Sequence, residues 1–470
     1  GVVAVLFFFF FVFMIRRPPG STLFPYPALF RSAFAFVTFA SHFLFPSVRW
    51  FFRRRMERVV AKLNERLERP IEPFKLLRRH DMIQRLSYDP KVIEAVAEQA
   101  AETGVREDVV FQEAQRYARE IVPSFSASAY FGFAIRLSKL LSRAFYRVRL
   151  GYFDEDAIKA IDPDATVIFI MNHRSNMDYI LVTYLAAERS ALSYAVGEWA
   201  RVWPLSRLIK AMGAYFIRRK SRNPLYRRVL ARYVQMATAA GVAQAVFPEG
   251  GLSLDGKVGE PKLGLLNYIV SGFTPGESRD VVFVPVALNY DRVLEDRVLV
   301  ATAKSGVRKF RFRWSSAVRY FFKHIMLRLT GRFIPYGYAA VSFGAPLSLA
   351  EYSAGKRGDV TKKIGRELMA QIRALVPALP VPLVASCILA ANAPISRTDL
   401  EKSAAARIKA MAARGVHVSL LDTDVADEIS VAVSHLLMRH MITETDDVIR
   451  MNPADKTLLE YYAGSIAHHC

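Results

Sequence analysis

Two patterns of apolar residues alternate along this chain: short unbroken runs, and longer stretches in which apolar positions recur every three or four residues. Val167-Ile168-Phe169-Ile170-Met171, Val246-Phe247 and Val281-Val282-Phe283-Val284-Pro285-Val286-Ala287 are of the first kind and predict strands buried on both faces. From Arg55 to about Lys139 the spacing is helical, broken at Pro70, Pro73 and Pro90. Val376-Pro377-Ala378-Leu379-Pro380-Val381-Pro382 marks a boundary, and Ile395 to Glu401 reads as a capped helix start. Leu437 to Ile442, followed by Asp446 to Met451, reads as a helix leading into a small wing. The expected organisation is a helical N-terminal domain over 33–139, an α/β domain over 140–377 and a helical C-terminal module over 378–470.

The polar residues that follow the strands carry the candidate chemistry. After Met171 comes Asn172-His173-Arg174-Ser175-Asn176-Met177-Asp178-Tyr179, with His173 at the mouth of the sheet and Asp178 where a helix would begin. A carboxylate that accepts from one ring nitrogen fixes the tautomer and frees the other nitrogen to take a proton. That arrangement suits deprotonation of an alcohol attacking an acyl carbonyl. The spacing alone is weak, because His417 and Asp422 repeat it with no supporting context.

Three further stretches give the first its context. Gly213-Ala214-Tyr215-Phe216-Ile217-Arg218-Arg219-Lys220 is an apolar strand ending in cations, a natural phosphate site. Phe247-Pro248-Glu249-Gly250-Gly251-Leu252-Ser253-Leu254-Asp255-Gly256-Lys257 is a glycine-rich turn bearing carboxylates and a lysine. Val284-Pro285-Val286 lies in the next buried strand.

In this order the four stretches resemble the four motif blocks of the glycerolipid acyltransferases, most closely the bacterial and mitochondrial type of glycerol-3-phosphate acyltransferase. Val341-Ser342-Phe343-Gly344-Ala345-Pro346 resembles the final strand of such domains, and Leu458-Leu459-Glu460-Tyr461-Tyr462 matches more loosely. The resemblance implies a mixed central sheet flanked by helices. It also implies acyl transfer from acyl-CoA or acyl carrier protein to the 1-hydroxyl of glycerol 3-phosphate, giving lysophosphatidate. His173 would be the base, Asp178 its orienting partner, and Arg218 with Arg219 the phosphate grip. Glu249, Gly250 and Gly251 would shape the glycerol pocket, with Ser253 at its edge and Arg174 and Ser175 beside it. No cofactor, metal or covalent acyl-enzyme is implied; positioning and oxyanion stabilisation would do most of the work. The family's third block often has arginines where this chain has Leu252 and Leu254, with Lys257 a partial substitute, and its second histidine is Asn176 here. Lysophosphatidate or another lipid alcohol is the alternative acceptor.

The net charge of +22 directs the chain toward anionic partners. No acidic residue lies between Asp296 and Glu351, where Arg308, Lys309, Arg311, Arg313, Arg319 and Lys323 alternate with aromatics. Cations beside aromatics suit a membrane interface. Ala33 to Trp50, followed by Arg53-Arg54-Arg55, resembles an interfacial anchor with a basic collar. The expected location is therefore the cytoplasmic face of the cell membrane, peripheral or interfacially anchored. Nucleic acid is not an expected partner, since Asp422, Asp424, Asp427 and Glu428 break any basic face in the C-terminal module. Cys387 and Cys470 imply no disulfide framework, and the terminal His468-His469-Cys470 is read as chain end, not as a metal site. Met14 to Ser32 resembles a translated sequencing adapter, so residues 1–32 are expected to be non-native; a genomic locus encoding them would refute this. Those residues hold three arginines and no acid, so the remainder stays strongly basic.

Overall fold

The computed structural model describes residues 54, 55, 57–185, 191–197, 205–218, 221, 223–306, 326, 330, 336–354, 358–416, 418 and 425–470. The expectations for residues 1–32, the anchor at 33–50, most of the basic stretch between Asp296 and Glu351, Arg219, and the His417–Asp422 pair lie outside the described residues. Residues 1–63 and 64–470 form two units. Of the first, the described residues are helical.

After a single helical turn at Pro73–Leu76, the second unit has helices α1 (Arg79–Ser87), α2 (Pro90–Thr103), α3 (Glu107–Ile121) and α4 (Ile135–Phe145). Pro90 opens α2 instead of breaking it: Asp89 caps the helix by accepting from the Lys91 N–H at 3.1 Å, and proline at the first turn removes no needed donor.

The sheet follows: β1 (Arg147–Phe153), β2 (Thr166–Met171), β3 (Ser193–Val196), β4 (Tyr215–Phe216), β5 (Gln244–Val246), β6 (Val281–Tyr290), β7 (Tyr338–Phe343) and β8 (Leu347–Ser348). Its order is β1-β7-β6-β2-β5-β3-β4, with β8 beside β6. All pairs are parallel except β6 with β7 and β6 with β8. The fold is therefore mixed α/β, as expected. Every residue of β2 and β6 is buried, which is why their sequences are unbroken apolar runs. Alternation still sorts their side chains. Val167, Phe169 and Met171 join one apolar cluster, and Ile168 and Ile170 join the other. Pro285 is tolerated inside β6 because the strand changes its outer neighbour there, from β8 at Val282 and Phe283 to β7 from Val286 on.

The second cluster packs against α1 to α3, α6 (Pro224–Ala239) and α7 (Val360–Leu375). The first packs against α5 (Met177–Leu185) and the C-terminal helices α8 (Pro380–Ala391), α9 (Arg397–Ala413), α10 (Val425–Met438) and α11 (Lys456–Gly464). Ser396 caps α9 by accepting from the Asp399 N–H at 3.0 Å. After α10 comes the wing, a hairpin of β10 (Ile442–Thr445) and β11 (Val448–Met451), with β9 (Ile395–Ser396) on its edge. Asp446 and Asp447, both at positive φ, make its two-residue turn. Asp291 ties this C-terminal region to the sheet, accepting from the N–H groups of Tyr338 at 2.8 Å and Val381 at 2.9 Å. Burial pushes its carboxyl up to about 7, against the pull of those two donors.

Candidate active site

Three parallel strands, β5, β2 and β6, end side by side, and the loops beyond them converge. Crevices outside the carboxyl ends of strands are where α/β sheets place their sites. Asn172 ties β2 to β6 at the base of these loops. Its side-chain amide donates to the Leu288 carbonyl at 2.9 Å and accepts from the Leu288 N–H at 2.8 Å, extending the β2–β6 ladder by one rung.

His173 comes next, 1 % exposed. Its Nδ1 lies 2.8 Å from Asp178 Oδ2. That same oxygen accepts from the backbone N–H groups of Arg174 at 2.8 Å and Ser175 at 3.1 Å. Oδ1 accepts from the Tyr290 hydroxyl at 2.7 Å. Oδ2 takes two fixed backbone N–H groups and faces the ring as an acceptor, so Nδ1 is the donor and Nε2 is left as the acceptor nitrogen. Phe247 stacks on the imidazole with centroids 4.1 Å apart, and Tyr179 meets it edge-on. The ring thus has one orientation.

Glu249 reaches the same loop from β5. Its Oε1 accepts from the His173 N–H at 2.9 Å and its Oε2 from the Gly259 N–H at 3.1 Å. Burial pushes its carboxyl up to about 7, while those donors and Arg174 oppose the shift. Gly250 follows at φ +65°, a left-handed position suited to glycine, where a Cβ would crowd Lys262; Gly251 is buried beside it. Ser253 donates its N–H to the His173 carbonyl at 2.9 Å and its hydroxyl to the Lys257 carbonyl at 2.8 Å. Lys257 itself is exposed. Leu252 and Leu254 pack against the first apolar cluster.

Glu295, which no sequence signal marked, organises the other side of the loop. It accepts from the Ser175 hydroxyl at 2.8 Å and the Asn176 side-chain amide at 2.9 Å. Burial raises its carboxyl above the usual range, opposed by those same hydrogen bonds. The buried Arg174 runs beneath the loop, its Nη1 donating to the Gly256 carbonyl and its guanidinium 4.8 Å from the Tyr461 ring centroid.

Arg218 is placed differently. It follows β4, three strand positions from β2, about 14 Å at ordinary strand spacing. Its Nε and Nη2 hold the two oxygens of Glu120 at 2.8 and 2.6 Å, and Tyr117 and Tyr226 flank it. His173, Asp178, Arg174, Ser175, Glu249, Gly250, Gly251 and Ser253 are thus gathered in one crevice; Arg218 is engaged elsewhere.

Residues 154–289 match the family model described as Acyltransferase, and that match spans the strands and loops that build this crevice. Residues 326–470 match the model described as Glycerol-3-phosphate acyltransferase C-terminal region. Two successive stretches of the chain are therefore similar to two family models, an acyltransferase domain and then the C-terminal region of glycerol-3-phosphate acyltransferase. Curated proteins agree. Glycerol-3-phosphate acyltransferase of Pseudomonas syringae pv. syringae (strain B728a) is 25 % identical over 418 residues, covering 83 % of this chain and 48 % of that protein. Its counterpart in Ectopseudomonas mendocina (strain ymp) is 26 % identical over 422 residues, covering 83 % and 49 %. The chain spans about half the length of the curated relatives it matches. Among solved structures, the 1-acyl-sn-glycerophosphate (LPA) acyltransferase PlsC from Thermotoga maritima is similar over 63 % of this chain and 95 % of its own. The identity is 19 % and the TM-score 0.32, so the fold assignment rests on the strand order.

Proposed function

We propose that this protein transfers a fatty acyl group from acyl-CoA or acyl carrier protein to the 1-hydroxyl of glycerol 3-phosphate, the first step of phospholipid synthesis. The observation that carries the reading is the His173–Asp178 pair, buried and locked in one tautomer at the convergence of three strand ends. His173 Nε2 takes the hydroxyl proton as the oxygen attacks the thioester carbonyl. The tetrahedral intermediate then expels the thiolate, which receives that proton and leaves as the thiol. Similarity to proteins named glycerol-3-phosphate acyltransferase supports glycerol 3-phosphate as the acceptor. Leu252 and Leu254 are partly buried against the first apolar cluster, so their apolar character serves packing and does not decide between acceptors.

The work is done at a membrane surface on this reading. Among the described residues no helix is long and apolar enough to cross a membrane. Helix α4 offers a surface-binding face instead. Arg136, Lys139, Leu140 and Arg143 are exposed at i, i+3, i+4 and i+7, with Phe133 exposed one turn earlier. No acidic residue lies between Glu120 and Asp154. Helix α4 packs on α5, which carries Asp178, so lipid held there lies one helix from the base. The cytoplasmic face is where either thioester donor would be met.

Purified protein offered radiolabelled glycerol 3-phosphate and lysophosphatidate separately, with either donor, tests the reading. Labelled lysophosphatidate is the expected product from the first; product from the second alone overturns it.

A further inference from the structure

Glu295 and Asp296 are neighbours in the chain, where β6 gives way to the helix Asp296–Ser305, and they hold different parts of the protein. Glu295 stands at the capping position of that helix, yet its side chain makes no cap. Its carboxylate goes to the loop that carries His173. Oε2 accepts from the Ser175 hydroxyl at 2.8 Å, and Oε1 from the Asn176 N–H at 3.3 Å and side-chain amide at 2.9 Å. The Ser175 hydroxyl oxygen accepts in turn from the Met177 N–H at 3.1 Å. The Ser175 N–H donates to Asp178 Oδ2 at 3.1 Å, the oxygen that faces the imidazole. Two carboxylates thus share Ser175: Asp178, which orients the base, and Glu295.

Asp296 holds the C-terminal region. Its Oδ2 accepts from Arg439 Nη2 at 2.5 Å and from the Tyr462 hydroxyl. The same hydroxyl oxygen accepts from Arg439 Nη1 at 2.9 Å and from the Val293 N–H at 3.2 Å. Its one proton and both lone pairs are therefore in use. Asp296 and Tyr462 are buried, and charge-assisted hydrogen bonds in such a setting are short, strong and directional. Arg297 adds bonds to Asp455 at 3.1 Å and to the Arg439 carbonyl at 3.3 Å. The residues on either side of Glu295 are thus fastened to the end of α10 and to α11.

We propose that Glu295 is a positioning residue for the base, and that the Tyr462–Arg439–Asp296 cluster sets its place. Residues of the C-terminal region then govern turnover without touching substrate. The proposal rests on the reading that His173 is the base. Every link of the path is a hydrogen bond or a peptide bond. It runs from Tyr462 to Asp296, along the chain to Glu295, and on through Ser175 and Asp178 to His173. A displaced base loses turnover before it loses binding, since a misplacement of about 1 Å can cost about a hundredfold in rate.

Steady-state kinetics on the full chain, followed by thiol release from acyl-CoA, test it. Glu295→Ala should lower kcat about ten- to a hundredfold, with KM for either substrate within about twofold of wild type. Glu295→Gln should recover most of that loss. Its oxygen can take the Asn176 donors, and its NH2 can donate to the Ser175 hydroxyl oxygen. Tyr462→Phe should lower kcat about three- to tenfold in the wild type, but by less than about twofold in Glu295→Ala, because its effect passes through Glu295. Four results overturn the proposal: an unchanged kcat in Glu295→Ala, a rise in KM that matches the fall in kcat, no recovery in Glu295→Gln, or equal losses from Tyr462→Phe in both backgrounds. Should Glu295→Ala fail to fold, Glu295→Asp takes its place, keeping the charge and withdrawing it from the loop by one methylene. The reading of the base fails separately. His173→Ala as active as the wild type ends that reading, whereas equal losses from Tyr462→Phe with His173→Ala inactive end only the coupling.

Discussion

Replacing Asp178 with Asn separates the two services a carboxylate can give a catalytic histidine: orientation and charge. Asp178 Oδ2 receives three N–H groups, from His173 Nδ1 and the backbones of Arg174 and Ser175. The two backbone donors are fixed and cannot reverse. An Asn amide therefore has to put its oxygen at the Oδ2 position, leaving its NH2 toward Tyr290, whose hydroxyl oxygen can accept. His173 keeps its Nδ1 proton and its basic Nε2. Only the negative charge beside the imidazolium is lost. A hydrogen bond to a charged partner contributes about 1.5 to 3 kcal/mol, against about 0.5 to 1.5 for a neutral one. Asp178→Asn should therefore lower kcat by about fivefold to a hundredfold, with KM little changed. This is short of the roughly 10⁴-fold loss of a triad whose tautomer flips. Thiol release from acyl-CoA under saturating glycerol 3-phosphate measures it, with a melting curve to show that the variant folds. A loss below about threefold would deny the carboxylate an electrostatic part, and a 10⁴-fold loss would refute the tautomer argument.

Tyr290→Phe strips the donor from Asp178 Oδ1 in a fully buried setting; it should destabilise the fold by about 1–3 kcal/mol and reduce kcat more than it changes KM, by chemical denaturation and kinetics. Asp291 and Glu249 both titrate near 7 when folded, well above ordinary carboxyls, so the folded state retains protons that the unfolded chain loses from about pH 4 upward. Their contribution to stability is full at low pH and fades as pH rises through 7. The stability difference between wild type and Asp291→Asn should shift against the wild type from pH 5 to 8, by up to about 1.4 kcal/mol per pH unit; a constant difference contradicts it. Reversing Arg136, Lys139 and Arg143 to Glu should cut binding to vesicles of anionic phospholipid by at least about a hundredfold, at about fivefold per cation removed. Equal sedimentation with vesicles would rule α4 out as the contact face.

What could be read from the sequence was whatever is local. The buried run of β2 announces itself by composition, and the loop after it places His173 and Asp178 within five residues, so periodicity and spacing suffice. The α9 cap and the wing are legible for the same reason. Contacts closed by tertiary folding were not. The Arg218–Glu120 pair joins residues 98 apart, and nothing near either position distinguishes a paired arginine from one waiting for phosphate. Glu295 lies 120 residues beyond the serine it holds, with no motif of its own. It also accounts for Asn176: an amide can donate to that carboxylate without carrying charge. Leu252 and Leu254 looked like missing ligands, and in the fold they are core packing for the turn that carries Ser253.

The fit of α11 over the Gly256 loop bears on how such proteins can be reshuffled. The loop at 253–257 lies within the acyltransferase match and α11 within the C-terminal match, yet Gly256 lacks a side chain where Tyr461 passes, and Gly464 lies against the Asp255 carbonyl. A recombination breakpoint between residues 257 and 456 unites a loop from one parent with a lid from another. A library of chimaeras scored for folding would expose the penalty as a gap in tolerated breakpoints across that interval, and an even spread would deny it. The two regions, separable as matches along the chain, meet in one close-fitted contact that neither stretch specifies alone.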